Sequence, residues 1–112
     1  MSIFDFFKQP DINKGLKEYA EKENAVLLDV RTPQEYREGH IPGSKNVPLQ
    51  TLDKVRSVVE NKGAELFVYC YSGARSRQAT AMLQQMGYTN VVEFGGIIDW
   101  PGETETSKGG PL

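Results

Sequence analysis

Continuous apolar runs alternate along the chain with stretches that are apolar only at every third or fourth position. Ala25-Val26-Leu27-Leu28, ended by Asp29, is the first run. A strand buried on both faces reads this way. Glu65-Leu66-Phe67-Val68-Tyr69 and Val91-Val92-Glu93-Phe94 read as two more strands. Before the first run, Leu16, Tyr19 and Ala20 have helical spacing, which predicts a helix over 13–22 with Asn13 as its N-cap. Thr32-Pro33-Gln34-Glu35 opens a short helix with a capping box, and Gly39 stops it. Asn46-Val47-Pro48 leaves room for a very short strand only. Leu52, Val55, Val58 and Val59 mark a further helix, closed by Asn61-Lys62-Gly63. Arg75 to Met86 is a long one, with Ala79, Met82, Leu83 and Met86 on one face. Gly95-Gly96 breaks the last strand before a short helical turn that carries Trp100. Strands alternating with helices predict an α/β fold, a small, mainly parallel sheet flanked by helices on both faces.

A length of 112 residues suits one domain with one core. The expected organisation is a single domain over 1–112, with 1–24 as an N-terminal helical segment and 103–112 as a loosely ordered tail. Hydrophobic residues at 38% and charged residues at 25% fit a soluble globular protein. A formal charge of −2 offers no basic field for nucleic acid or an anionic membrane. No stretch is apolar for long enough to span a bilayer, and the first residues do not read as a secretory signal. The chain has one cysteine, so no internal disulfide forms, and a reduced, cytoplasmic setting is expected. Ile3, Phe4, Phe6 and Phe7 are left to cover the domain's own core or a second subunit, so monomer and homodimer both remain open.

The chemistry concentrates in Cys70-Tyr71-Ser72-Gly73-Ala74-Arg75, between the end of a strand and the start of a helix. Ligands of open α/β sheets bind beyond the carboxyl ends of the strands. Cys70 is read as the first residue past such an end. The short connection can turn its backbone N–H groups inward as an anion nest, and the helix N-terminus adds positive potential, so a thiolate at the centre is stabilised. By position alone a lone cysteine after a strand is most often a small buried hydrophobe. The neighbouring Gly73 and Arg75 tip the reading toward a nucleophile. A cation is disfavoured near a helix N-terminus, so Arg75 there suggests that an anion is expected.

These residues resemble the single-domain rhodanese family, over about Ala25 to Leu112. Four pieces come in the family's order: Leu28-Asp29-Val30-Arg31 with Glu35-Tyr36; Gly39-His40-Ile41-Pro42-Gly43-Ser44-Lys45-Asn46-Val47-Pro48; the Cys70 to Ser76 loop; and Gly95-Gly96-Ile97-Ile98-Asp99-Trp100. The resemblance implies that Cys70 accepts sulfur and that Tyr71, Ser72, Gly73, Ala74 and Arg75 form the rest of its six-residue loop. Asp29, Arg31, His40, Asn46 and Trp100 match framework motifs. Asp29 and Arg31 are expected to pair, or to bind backbone, near the site. A general-base role for His40 is not favoured, because sulfur transfer by a thiolate needs no obligatory base.

The implied reaction moves a sulfane sulfur from thiosulfate or a similar donor, through a Cys70 persulfide, to cyanide or a thiol. A thiol protein such as thioredoxin is among the implied acceptors. No metal or organic cofactor is required, and one cysteine cannot build the usual structural metal cluster. Two alternatives stand beside this reading. One is a non-enzymatic persulfide carrier or partner-binding module. The other, less favoured, is a phosphatase or arsenate reductase, whose rhodanese-related members use a loop one residue longer. Mercaptopyruvate-using relatives tend to have Cys-Gly-Ser-Gly-Val-Thr in the loop. Tyr71 and Arg75 look more like the thiosulfate-using group.

Overall fold

The computed structural model describes residues 12–100 and 102–106. Its elements follow one another as α1 (Ile12–Ala20), β1 (Val26–Asp29), α2 (Pro33–Glu38), β2 (Lys45–Asn46), a 3-10 helix (Leu49–Lys54) leading into α3 (Val55–Val58), β3 (Glu65–Cys70), α4 (Ala74–Gln85), β4 (Asn90–Gly96) and a 3-10 turn (Ile97–Asp99). The four strands form one sheet in the order β2-β1-β3-β4, every neighbouring pair parallel. The three strands read from the sequence are therefore strands of one parallel sheet.

Side chains alternate across β3 and divide the core in two. Leu66, Val68 and Cys70 join Leu28, Val30, Leu52, Val55, Ala79 and Leu83, on the side of α3 and α4. Phe67 and Tyr69 join Ile12, Leu27, Ile41 and Phe94 on the side of α1, where Leu16 and Tyr19 also pack. Helices thus cover both faces, and β3 is buried on each. No helix among the described residues is long and apolar enough to cross a membrane.

Several local expectations are corrected. Asn13 lies inside the first turn of α1 rather than capping it. The segment after Pro48 is mostly 3-10, not one α-helix: two short turns meet at a kink at Thr51 (φ −127°, ψ 36°), and Leu49, Leu52 and Val55 reach the core from either side of it. Val58, read as a core position, is 41% exposed, and Val59 reaches the core in extended conformation. β4 is not broken by Gly95-Gly96 but runs through them, after a register irregularity opposite Val68 and Cys70. β3 is longer by one residue than expected, so Cys70 ends the strand instead of following it.

The expected aromatic cover, Ile3 to Phe7, lies outside the described residues, as does most of the expected tail. Within 103–106, Glu105 and His40 exchange backbone hydrogen bonds of 2.9 and 2.8 Å. That bridge ties the segment to the turn before β2.

Candidate active site

Cys70 sits at the carboxyl end of β3, the second of the two inner strands of the sheet, and is only 1% exposed. Three residues later Gly73 takes the left-handed conformation, with φ 108°, and serves as N-cap of α4. A side chain is strained there, whereas glycine is not. This turn aims the Gly73 N–H at Cys70 Sγ, at 3.0 Å. The loop lies close against β4: a Cβ on Gly96 would come within 2.2 Å of the Tyr71 carbonyl oxygen. Ile98 N–H donates to that same oxygen at 3.0 Å. Tyr71 is 47% exposed and Ser72 and Ala74 are also exposed, so the loop shows its outer side to solvent while its inner side holds the sulfur.

Beneath the sulfur lies a polar pair that sequence reasoning missed. Ser76 is fully buried, with its Oγ 3.4 Å from Cys70 Sγ. The Ser76 hydroxyl donates to Glu93 Oε1 at 2.6 Å, and the Gly95 N–H donates to the same carboxylate oxygen at 3.1 Å. Glu93 pairs in register with Val68 and belongs to the face that packs on α4. A carboxylate interrupting that apolar face was the available signal, because burying a charge is costly unless it is paired or hydrogen-bonded.

Arg75 turns its guanidinium to Glu35, with Nη1–Oε1 at 2.6 Å and Nη2–Oε2 at 3.0 Å. Glu35 also completes the predicted capping box of α2. It accepts from the Thr32 N–H at 3.1 Å, and its own N–H donates to the Thr32 hydroxyl at 3.2 Å. The Arg75 hydrogen bond, aided by Thr32 and opposed by partial burial, draws the Glu35 carboxyl down to about 2. The same pairing raises Arg75 against the cost of its burial. Arg75 also interacts electrostatically with Cys70. Sequence reasoning saw Glu35 as a cap and Arg75 as part of the loop, but not their pairing across forty positions of chain.

Asp29 and Arg31 do pair, at the end of β1. Arg31 Nη2 is 2.7 Å from Asp29 Oδ2, its Nε donates to Oδ1 at 3.0 Å, and its Nη2 also donates to the Gly39 carbonyl at 2.7 Å. Burial works against the Arg31 charge, but Asp29 outweighs it and the guanidinium is held above its ordinary value. The Arg31 guanidinium carbon lies 5.9 Å from the centre of the Tyr69 ring, which sets the pair beside the residue preceding Cys70. Asn46 braces this corner by donating to the carbonyls of Asp29 and Arg31, each at 3.0 Å.

His40 is 5% exposed and stacks on Tyr36 with ring centres 3.7 Å apart. Its Nδ1 donates to the Tyr36 carbonyl at 2.7 Å, a framework contact. Trp100 Nε1 donates to the Glu103 carbonyl at 3.2 Å and packs at the edge of the α1-side core. A cleft of about 320 Å³ next to the loop is lined by Arg31, Glu35, Glu38, Gly39, Tyr71, Ile97 and Thr104. It therefore brings together the Asp29–Arg31 corner, the Glu35–Arg75 pair and the residue after Cys70. Among the described residues, no cluster of His, Cys, Asp and Glu is placed to hold a metal ion.

The chain is 42% identical over 82 residues to a sulfurtransferase of Allochromatium vinosum, covering 72% of this chain and 76% of that one. It is 38% identical over 73 residues to the thiosulfate sulfurtransferase PspE of Escherichia coli, covering 64% and 70%. Among solved structures, a rhodanese with anions from E. coli superposes with a TM-score of 0.69 at 33% identity, over 74% of this chain and 99% of that one. The family model of the rhodanese-like domain matches residues 13–102, and the chain belongs to that family.

Proposed function

We propose that this rhodanese-like sulfurtransferase uses thiosulfate, or a donor like it, and carries the sulfur as a Cys70 persulfide. The observation that supports this most directly is the Gly73 N–H aimed at Cys70 Sγ from 3.0 Å at the start of α4. A sulfur anion at that point meets a hydrogen-bond donor and the positive end of a twelve-residue helix. In the first half-reaction the Cys70 thiolate attacks the outer sulfur of thiosulfate. The donor's S–S bond breaks, and sulfite leaves with its electron pair. In the second, a thiolate or cyanide attacks the outer sulfur of the persulfide, and the Cys70 thiolate leaves with the electrons of the broken bond. Both halves are nucleophilic displacements at sulfur, so ping-pong kinetics are expected. Tyr71, Ser72, Gly73, Ala74 and Arg75 form the wall that the donor meets, with the guanidinium of Arg75 shared with Glu35. Asp29 and Arg31 hold the corner beside them. The acceptor in the cell is a thiol of small-molecule or protein type.

Mass spectrometry of the intact protein tests the reading. Thiosulfate should add the mass of one sulfur atom to Cys70, and dithiothreitol should remove it. Cys70→Ser should neither gain that mass nor transfer sulfur to cyanide, while its circular dichroism stays unchanged. A loaded protein that passes sulfur to a protein thiol but to neither cyanide nor a small thiol would turn the reading into that of a carrier. Efficient hydrolysis of an aryl phosphate with no sulfur transfer would overturn it.

A further inference from the structure

The wall of the cleft beside the loop carries two carboxylates, Glu35 and Glu38, against one arginine, Arg31. Arg31 is closed onto Asp29 and the Gly39 carbonyl, and Arg75 is closed onto Glu35. Glu38, also on the cleft wall, accepts a neutral hydrogen bond from Gln34 at 3.3 Å, and no ion pair to it occurs among the described residues. Thiosulfate is a dianion. Near the loop, Arg77 brings its Nη1 within 3.1 Å of where a Cβ on Gly73 would lie. Arg75, by contrast, points both of its terminal nitrogens at one carboxylate. About 30% of each side chain in the pair remains exposed, so the pair is part of the surface an incoming donor meets.

We propose that Glu35 is a specificity-determining residue: by holding the Arg75 guanidinium, it weakens the pull of the site on small anionic donors relative to uncharged ones. Restraining Arg75 costs the site attraction for a free dianion and leaves the approach of a neutral reagent nearly unchanged. The choice of donors as the quantity selected rests on the sulfurtransfer reading. The electrostatic role of Glu35 does not, because any electrophile that reaches Cys70 reports it.

Glu35→Gln separates charge from capping, since glutamine serves in a capping box as glutamate does. Cys70 is the sole cysteine of the chain, so alkylation reports it alone. The measurement is the ratio of the rates of Cys70 alkylation by iodoacetate, an anion, and by iodoacetamide, a neutral analogue. In Glu35→Gln at low salt the ratio should rise about three- to tenfold, and salt near 1 M should largely erase the difference. The thiosulfate kcat/KM should rise by a similar factor, mainly through KM. Arg75→Met should move the iodoacetate to iodoacetamide ratio the other way, below that of the unmodified protein, because Glu35 is then unbalanced. The double variant should lose the gain of Glu35→Gln. A ratio unchanged or lowered in Glu35→Gln, with α2 intact by circular dichroism, overturns the proposal. Should that variant not fold, a ratio unaffected by Arg75→Met overturns it equally. If the ratios shift as stated while no persulfide forms, the sulfurtransfer reading fails and the role of Glu35 stands. If the persulfide forms and the ratios stay flat, the reverse holds.

Discussion

Ser76 has one hydroxyl and several neighbours: Cys70 Sγ, Glu93 Oε1 and the Gly73 carbonyl. Its single proton goes to the carboxylate, the shortest of these contacts, which leaves the oxygen lone pairs facing the sulfur. Ser76→Ala removes that link and leaves Glu93 with the Gly95 N–H. The expected loss is about 1–2 kcal/mol, because a hydrogen bond to a charged group is lost but Glu93 keeps some access to water. Urea unfolding measures it. A loss below about 0.5 kcal/mol would mean that the carboxylate simply turns outward, as an ordinary surface group does. At this scale the sequence was readable where residues are contiguous. The Thr32–Glu35 box and the short turn between β3 and α4 needed only local spacing. Glu93 and the pairing of Arg75 with Glu35 were not readable, because each depends on which strand lies beside which, and spacing along the chain does not carry that.

α1 crosses β4 at a point where there is no room for a methyl group. A Cβ on Gly15 would lie 2.4 Å from Phe94 Cβ, and Phe94 is fixed among Phe67 and Tyr69 at ring distances of 6.2 and 5.9 Å. Inside a helix, replacing glycine by alanine ordinarily stabilises by about 0.5–1 kcal/mol. Here overpacking, of about 1–3 kcal/mol, should outweigh it. Gly15→Ala is therefore expected to lower the urea midpoint without changing the slope of the transition, and a raised midpoint would show that α1 can shift outward freely. The elements themselves were legible to the extent that they repeat one period. β1, β3 and α4 have apolar runs or stripes long enough to fix their type. The stretch from Leu49 to Val59 does not: a spacing of three and a spacing of three to four look alike over so few residues, and nothing in the spacing marks the kink at Thr51. The extension of β4 through two glycines was hidden for another reason. Glycine ordinarily weakens a strand, but at Gly96 the close approach of the Tyr71 backbone demands it.

For the molecule as a whole, alkali should be an effective denaturant. Burial lifts the phenols of Tyr36, Tyr69 and Tyr88 above their ordinary 10.0. Tyr69 is the most strongly affected; it accepts from the Ile41 N–H and donates to Ser44 Oγ, each at 3.1 Å. A raised folded value keeps its stabilising contribution in full below the unfolded value of about 10 and loses it as pH rises beyond. The urea midpoint should therefore fall above about pH 10, and the phenolate absorbance of these three rings should appear together with unfolding rather than before it. Absorbance that titrates fully while the far-ultraviolet signal stays native would contradict this. The four-strand order has one more consequence, which concerns the rims of the sheet. β2 ends one side after two residues, with Pro48 close behind, so it offers almost no free backbone for another strand to pair with. β4 ends the other side with seven residues, and among those described no strand pairs with its outer side. Among the described strands, β4 is thus the one with a long outer edge, and a proline or lysine at an outward position there is the place to block strand addition.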